Sequence, residues 1–466
     1  MELGALQTVV NFFLGLGASV LLPIILFILS LIFGAKPGKA IRSSLMFGVG
    51  FIGLNLIIGL LSNSIGPVSQ GMVERFGLKL DIIDVGWPAC ASIAFGSNIS
   101  TLIIPAGILL NLLLLFTRVT KTINIDIWNF WHFAFVGGLV QWATGNIWYG
   151  LISALLFAAA MLFFADWTAP AVQQTMGLPG VSIPHGFSAA PVPFAIIINK
   201  IIDIIPGLNK IEGDPDTIKK KFGLMGEPLI MGVVIGLILS AVAYMGDGPW
   251  TDWLTKMLST GVTLGAVMVL MPRMVSLLME GLIPLSDAAR DFLQKRAGDR
   301  EIYIGLDSAI IVGHPTAIAT GLIMVPITLI LAIILPGNRV IPFGDLAVIP
   351  FLVAIVIPIV KANVFRSVVV STVFMIPSIY IMNFLAEGTT AAAVAADFAL
   401  PEGANLITSI CDGGNWIPAM FLKLAENFWV GNIIVAVVIA LLFVILKKKP
   451  AAMHKLAGYT PENEEK

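Results

Sequence analysis

The sequence predicts an all-α polytopic membrane protein of about 11 transmembrane helices plus re-entrant hairpins, folded as two inverted-topology repeats. Three observations carry this. Of the 466 residues, 58% are hydrophobic and only 12% charged, with a mean hydropathy of +0.95, about half the charge of a soluble domain. Runs such as 20–33, 151–164 and 433–446 supply most of the roughly 20 apolar residues a spanning helix needs. Finally, Gly, Pro, Ser and Asn recur at fixed spacings in the two halves of the chain.

Backbone polar groups must be paired internally in hydrocarbon, so the spans are expected to be helices. They fall at roughly 8–34, 41–61, 99–117, 127–144, 147–165, 225–245, 255–278, 315–336, 346–361, 364–383 and 428–446. The first run follows Met1-Glu2-Leu3 with no basic leader and no small-residue cleavage site, so it reads as a retained span. Basic residues gather at Lys36/Lys39/Arg42, Arg118/Lys121, Lys210/Lys219–Lys221, Arg290/Lys295/Arg296/Arg300 and Lys447–Lys449. With the N-terminus outside and the C-terminus cytoplasmic, all these clusters fall on the cytoplasmic side. Segments 246–252 and 384–403, left outside, contain no Lys or Arg. Arg75, Lys79, Lys256, Arg339 and Lys423 are scattered exceptions.

The repeat rests on residues that fix backbone geometry. At an offset of 217, Gly48 meets Gly265, Pro67 meets Pro284, Ser69 meets Ser286, Gly96 meets Gly313 and Asn146 meets Asn363. At an offset of 227, Ser182 meets Ser409, Ile183 meets Ile410, Gly186 meets Gly413, Pro191 meets Pro418 and Phe194 meets Phe421. The order also repeats: two spans, a polar break, three spans, a second polar break. Equivalent elements are five spans apart, an odd number, so the halves have opposite orientation, as in inverted-repeat carriers. The expected organisation is a single transmembrane domain over 1–450, with repeats at about 5–206 and 222–446. A cytoplasmic linker covers 207–221 and a cytoplasmic tail 447–466.

The four polar breaks are the informative segments. They are 86–98 "GWPACASIAFGSN", 182–191 "SIPHGFSAAP", 304–316 "IGLDSAIIVGHPT" and 409–418 "SICDGGNWIP". Irregular backbone at membrane depth is tolerated only where it is buried in protein or lines a wet cavity. In inverted-repeat carriers such breaks converge on the substrate. Their polar side chains are Asn98, His185, Ser188, Asp307, Ser308, His314, Asp412 and Asn415, with Trp87 and Trp416 beside them. Carboxylates and amides take hydroxyl pairs and indoles cover a C–H face, so the set suits an uncharged polyhydroxylated ligand. A multiply charged anion calls for Arg clusters, which the breaks lack.

Each assignment has a structural alternative. His185 and His314 would serve equally by bonding carbonyls freed by Pro184 and Pro315, and Trp87 and Trp416 as interfacial belt residues. An unpaired Asp at membrane depth costs several kcal/mol, so Asp307 and Asp412 are functional or paired. His132, in "NFWHF", reads as part of an aromatic belt and is left outside the site.

Other chemistry is not indicated. A net charge of −1 excludes a strongly basic nucleic-acid binder. Cys90 and Cys411 lie in opposite halves without metal-ligand spacing, which supports neither a disulfide nor a zinc site. Walker, GxSxG and HExxH motifs do not occur, so no cofactor, metal or catalytic residue is assigned, and any catalysis involves a partner.

Together, "DVGWPACASIAFGSN", "GLPGVSIPHGFSAAP", "GLDSAIIVGHPTAIATGL" and "SICDGGNWIPA" resemble the membrane component, enzyme IIC, of the galactitol-specific phosphotransferase system. That family is grouped with the ascorbate-specific permeases, and the resemblance covers about 5–450. It implies a homodimer in the bacterial inner membrane, each protomer with a substrate-carrying core domain and a V-shaped dimerisation domain. The core would move as a rigid body, and the sugar would be phosphorylated as it is released inside. Carried onto this chain, the family's hairpin positions fall on Trp87, Pro88 and Ala89, on His185 with Gly186, on Asp307 with Ser308, and on Asp412, Gly413 and Asn415. Ascorbate-type relatives commonly place a side-chain amide after the His. Gly186 stands there in this chain, which favours a longer acyclic polyol such as galactitol. Only about twenty residues follow the last span, so the phosphate-carrying Cys or His resides on separate soluble IIA and IIB proteins.

Two readings from other classes remain open at this point. An ion-coupled symporter would use Asp307 or Asp412 as its ion site, and a substrate-gated channel would need no coupling. The basic loops 210–221 and 290–300 are candidate docking sites for the IIB protein.

Overall fold

The computed structural model describes residues 18–76, 80–124, 126–211, 213, 227–297, 301–312, 314–396, 398, 400–401 and 404–461. Residues 8–17 of the first expected span, Gly313, Lys219–Lys221 and most of the linker 207–221 lie outside the described residues.

Helices follow the apolar runs. In the first half they are α1 (Ala18–Ile32), α2 (Pro37–Phe76), α3 (Trp87–Gly96), α4 (Asn98–Phe116), α5 (Phe130–Thr144), α6 (Ile147–Met176) and α7 (Val192–Ile204). In the second half they are α8 (Pro228–Tyr244), α9 (Trp250–Ala297), α10 (Ala309–Val312), α11 (Pro315–Ile334), α12 (Ile349–Val353), α13 (Val356–Ile359), α14 (Val364–Ala395), α15 (Trp416–Leu424), α16 (Phe428–Lys448) and α17 (Pro450–Leu456). The α5–α6 corner shows how the sequence punctuates them. Gly145 closes α5 at φ 67° and Asn146 opens α6 by accepting the N–H groups of Trp148 and Tyr149, a left-handed C-cap followed by an Asn N-cap.

Six stretches among the described residues are long and apolar enough to cross a bilayer: Asn98–Phe116, Ile147–Met176, Trp250–Leu270, Pro315–Ile334, Val364–Ala395 and Trp416–Lys448. Two expectations change. The expected span at 346–361 is not one helix but two buried pieces, α12 and α13, interrupted at Ala354–Ile355 and too short to span. Pro350 and Pro358 each remove a backbone donor there. The segment 384–403, expected as an external loop, instead continues α14 to Ala395, with Gly388 packed on Leu139 and Trp142.

Where helices stop, strands take over the backbone pairing that hydrocarbon demands. Two three-stranded parallel sheets form, and neither was expected. In the first, β1 (Ile82–Asp84) lies between β5 (Val340–Ile341) and β6 (Leu406–Thr408), with Ile83 opposite Ile341 and Ile407. In the second, β4 (Tyr303–Gly305) lies between β2 (Thr122–Asn124) and β3 (Val181–Ser182), with Ile304 opposite Ile123 and Val181. Each central strand follows a long helix, α2 or α9, and is flanked by strands from the other half of the chain.

The helices α1, α2, α8 and α9 pack on one another. The α8–α9 crossing is set by four glycines: a Cβ at Gly236 would stand 2.8 Å from Gly261 Cα, and one at Gly232 would stand 2.8 Å from Gly265 Cα. Small residues permit that approach. Elsewhere the core gathers around α5, where ten consecutive or near-consecutive positions from Phe130 to Val140 are buried, as expected of a helix apolar all round. The tail is docked on α6. Trp167 Nε1 donates to Met453 O at 2.6 Å, and Gln174 and Thr460 exchange two bonds of 2.8 and 2.9 Å.

Candidate functional site

Strand ends place carboxylates where helices begin. Asp84, closing β1, accepts the N–H of Gly86 at Oδ1 and of Asp345 at Oδ2, both at 3.0 Å. Gly86 has φ +80°, and a Cβ there would come within 3.0 Å of Gly344 O, so the turn into α3 requires glycine. Asp345 accepts the N–H of Trp87 at 2.6 Å and of Cys411 at 3.2 Å. Asp126 accepts the N–H of Trp128 at 3.1 Å and of Asp307 at 3.0 Å. A second-half carboxylate thus holds the start of the first break, and a first-half carboxylate holds the third. Such charge-assisted bonds to backbone donors are among the stronger ones.

Between these clamps lies a chain of four side chains. His132 Nδ1 is 2.7 Å from Asp412 Oδ2. Its Nε2 is 3.2 Å from His185 Nε2, which is 3.6 Å from Asp307 Oδ2. None of the four residues is more than 4% exposed. Asp307 Oδ1 accepts the N–H of Ala309 at 2.7 Å. Among the described residues, Asp307 Oδ2 and Asp412 Oδ1 are buried without a close hydrogen-bond partner, so both carboxylates have acceptor capacity to spare. On the far side of His185, the Ser188 N–H donates to Nδ1 at 3.2 Å. Ser188 Oγ donates to Phe351 O at 2.6 Å and lies 2.8 Å from Ser308 Oγ.

Flat faces surround the chain. The rings of Trp131 and His132 are 4.0 Å apart, and Trp87 stands 6.4 Å from both Trp131 and Phe351. The second and fourth breaks are tied directly: Asn415 Nδ2 donates to Gly186 O at 3.1 Å and Trp416 Nε1 to Ala190 O at 2.8 Å. Gly186 itself is pressed on His132, whose Cβ and Cγ would lie 2.7 Å from a Cβ placed there.

The structure therefore brings His185, Gly186, Asp307, Ser308, Asp412 and Asn415 together, with the Trp87 ring beside them. Pro88 and Ala89 are buried in the first turn of α3, and Gly413 packs on Ser409 O and Thr408 Oγ1. Two expected residues stand apart from this network. Asn98 is exposed at the start of α4, and His314 caps α11 by accepting the Thr316 N–H at 3.2 Å, the structural alternative raised for it. His132 is the correction in the other direction. It is no belt residue but fully buried at the centre. The signal was one titratable residue in an otherwise apolar helix. Asp126 and Asp345 were also missed, although an Asp just ahead of a helix is a capping pattern.

His132, Cys411 and Asp412 bring donor atoms within 4.8 Å of one another. His132 and Asp412 already hydrogen-bond each other, and no metal is assigned. A cavity of about 880 Å³ lies elsewhere, between α2, α8 and α9, lined by Asn63, Arg75, Tyr244 and Lys256 among others. Its size alone gives it no claim over the buried cluster, where the convergent polar groups are.

A family model for the sugar-specific permease component of the PTS system, EIIC-GAT, matches residues 12–403, which take in the first three breaks. The galactitol-specific EIIC component of Escherichia coli (strain K12) is 38% identical over 416 residues, 89% of this chain and 90% of its own length; the one from Escherichia coli O157:H7 gives the same figures. A further relative from strain K12 is 38% identical over 439 residues, 94% of this chain and 99% of its own, and its name, a permease IIC component, specifies no sugar. The apolar spans, the polar breaks they enclose and these matches agree: the chain is a multi-pass membrane protein and belongs to the EIIC-GAT family of phosphotransferase-system sugar permeases.

Proposed function

We propose that the chain carries galactitol, or a closely related hexitol, across the bacterial inner membrane as the IIC component of a phosphoenolpyruvate-dependent phosphotransferase system. The observation that supports this most directly is the buried chain Asp412–His132–His185–Asp307. It is drawn from both halves, has two buried carboxylate oxygens with no close hydrogen-bond partner among the described residues, and lies beside indole and phenyl rings. Hydroxyl groups satisfy such acceptors while C–H faces cover rings. Soluble IIA and IIB proteins supply the phosphoryl group, and transfer needs donor and hydroxyl in line. The ion-coupled alternative gains nothing from the family match.

The finer features belong to the same proposal. The two halves are an inverted repeat, supported by the way both sheets set one central strand between two strands of the other half. Because those sheets interlock the halves, the cluster and its sheets move as one body during alternating access. The helices α1, α2, α8 and α9 form the dimerisation domain. Ile41, Leu45, Val49, Ile52, Leu56 and Leu60 are exposed along one face of α2, which supplies a continuous apolar stripe for a second copy. The N-terminus lies outside and the tail inside.

The deciding experiment is uptake of radiolabelled hexitols by cells expressing the chain with its IIA and IIB partners, followed by analysis of the label inside. Phosphorylated galactitol, dependent on phosphoenolpyruvate, is expected. Free galactitol sensitive to collapse of the ion gradient would instead establish a symporter.

A further inference from the structure

We propose that His132, oriented by Asp412, is the general base that takes the proton from the sugar hydroxyl during phosphoryl transfer; this rests on the phosphotransferase reading above. One donor in this network has a fixed direction. The backbone N–H of Ser188 points at His185 Nδ1 from 3.2 Å, so that nitrogen is bare and accepts. A neutral His185 then carries its proton on Nε2. That nitrogen lies 3.2 Å from His132 Nε2, which must accept, and so is bare as well. His132 consequently carries its proton on Nδ1, where it donates to Asp412 Oδ2 at 2.7 Å.

These three hydrogen bonds thus run one way: Ser188 N–H to His185, His185 to His132, His132 to the Asp412 carboxylate. The last pair has the logic of a base–orienter couple, in which a buried carboxylate fixes the imidazole tautomer and stabilises the imidazolium that forms. The nitrogen left without a proton, His132 Nε2, faces His185 Nε2. A sugar hydroxyl placed between the two Nε2 atoms donates to His132 and accepts from His185. At about 2.8 Å from each nitrogen, it requires the rings to part from their 3.2 Å contact.

The step balances. The hydroxyl oxygen attacks the phosphorus atom borne by the phosphorylated side chain of the IIB partner, and the new O–P bond forms as the bond from phosphorus to the partner's donor atom breaks. The electron pair leaves with the partner. The hydroxyl proton passes to His132 Nε2, and the imidazolium is held by Asp412 until the sugar phosphate departs.

Two variants separate base from ligand. His132→Gln keeps a polar group near the Nε2 position that cannot take a proton. His132→Asn keeps an amide donor near Nδ1 toward Asp412 and deletes the base. Each purified variant is checked for a folded protein by size exclusion and circular dichroism. Galactitol affinity is then measured by calorimetry, and single-turnover phosphorylation by phospho-IIB at saturating galactitol. Affinity is expected to fall no more than about 13-fold, one hydrogen bond's worth, while phosphorylation at saturation falls roughly 10²–10⁴-fold. Phosphorylation within tenfold of wild type at saturating sugar, in either folded variant, overturns the proposal. Failure of the wild-type protein to phosphorylate any hexitol would instead strike the functional reading beneath it.

Discussion

Gly186 shows how narrowly single residues are set in this protein. A methyl group there would press to 2.7 Å from His132, displacing the ring that links Asp412 to His185. Overpacking of this kind destabilises by about 1–3 kcal/mol, so Gly186→Ala should fold with a lower melting temperature and bind galactitol more weakly. Unaltered calorimetric affinity would mean that His132 has room to move. His185→Ala removes one neutral hydrogen-bonding group and should weaken binding roughly 2- to 13-fold, and Asp307→Asn or Asp412→Asn should weaken it further if a sugar hydroxyl meets the carboxylate. Wild-type affinity in His185→Ala would make that histidine structural. These residues were legible because Pro184, Gly186 and Gly413 mark breaks that an apolar span has no use for. His132 was not, because its neighbours Phe130, Trp131 and Phe133 read equally well as an interfacial belt, and only packing distinguishes the two.

At the scale of elements, the carboxylate clamps carry the sharpest expectation. Asp345→Ala leaves the buried N–H groups of Trp87 and Cys411 without their acceptor. An unsatisfied buried donor costs about 1–3 kcal/mol, so a clear drop in the melting temperature of the detergent-purified protein should follow, with Asp345→Asn intermediate because one oxygen remains. Equal melting temperatures for all three would show that other acceptors replace the clamp. The α8–α9 crossing is similarly testable. Gly236→Leu drives a side chain into Gly261 and Thr260 O and should separate the helices, seen as a larger fall in stability than the same change at Gly59, which has open space around it. That helices form at the apolar runs was readable from run length, but their extent was not: α2, α9 and α14 continue past the expected ends at 61, 278 and 383. The strands were not, because two or three residues display no periodicity, and "IID" or "TIN" resembles any fragment of a span. The pieces α12 and α13 failed for the converse reason: their apolar run is long enough to mimic a span, and only its prolines hint at the interruption.

Across the whole molecule, the fixed spacing of Gly, Pro and Asn in the two halves was visible without coordinates, whereas the exchange of strands between the halves was not, since pairing partners lie hundreds of positions apart. Orientation can be tested directly because both native cysteines, Cys90 and Cys411, are buried. A cysteine at the exposed Gly246 should react with an impermeant thiol reagent on intact cells, and one at the exposed Ala452 only after the membrane is broken. Labelling of position 452 in intact cells would reverse the arrangement. The docked tail makes a separate prediction: truncation after Lys449 exposes Trp167 and Gln174 and should lower the melting temperature, read by tryptophan fluorescence. The interlocked sheets also bear on how the protein is made. When β1 leaves the ribosome its neighbours do not yet exist, because Val340 and Leu406 pair with Ile82 from far downstream. At about 5–20 residues per second, β1 waits roughly ten seconds to a minute or more for the ribosome to deliver them. During that wait its backbone groups must be met by water, lipid headgroups or an insertion chaperone. Ribosomes stalled before residue 340 should therefore yield a nascent chain whose first break is open to proteases, and completion of residue 408 should close it.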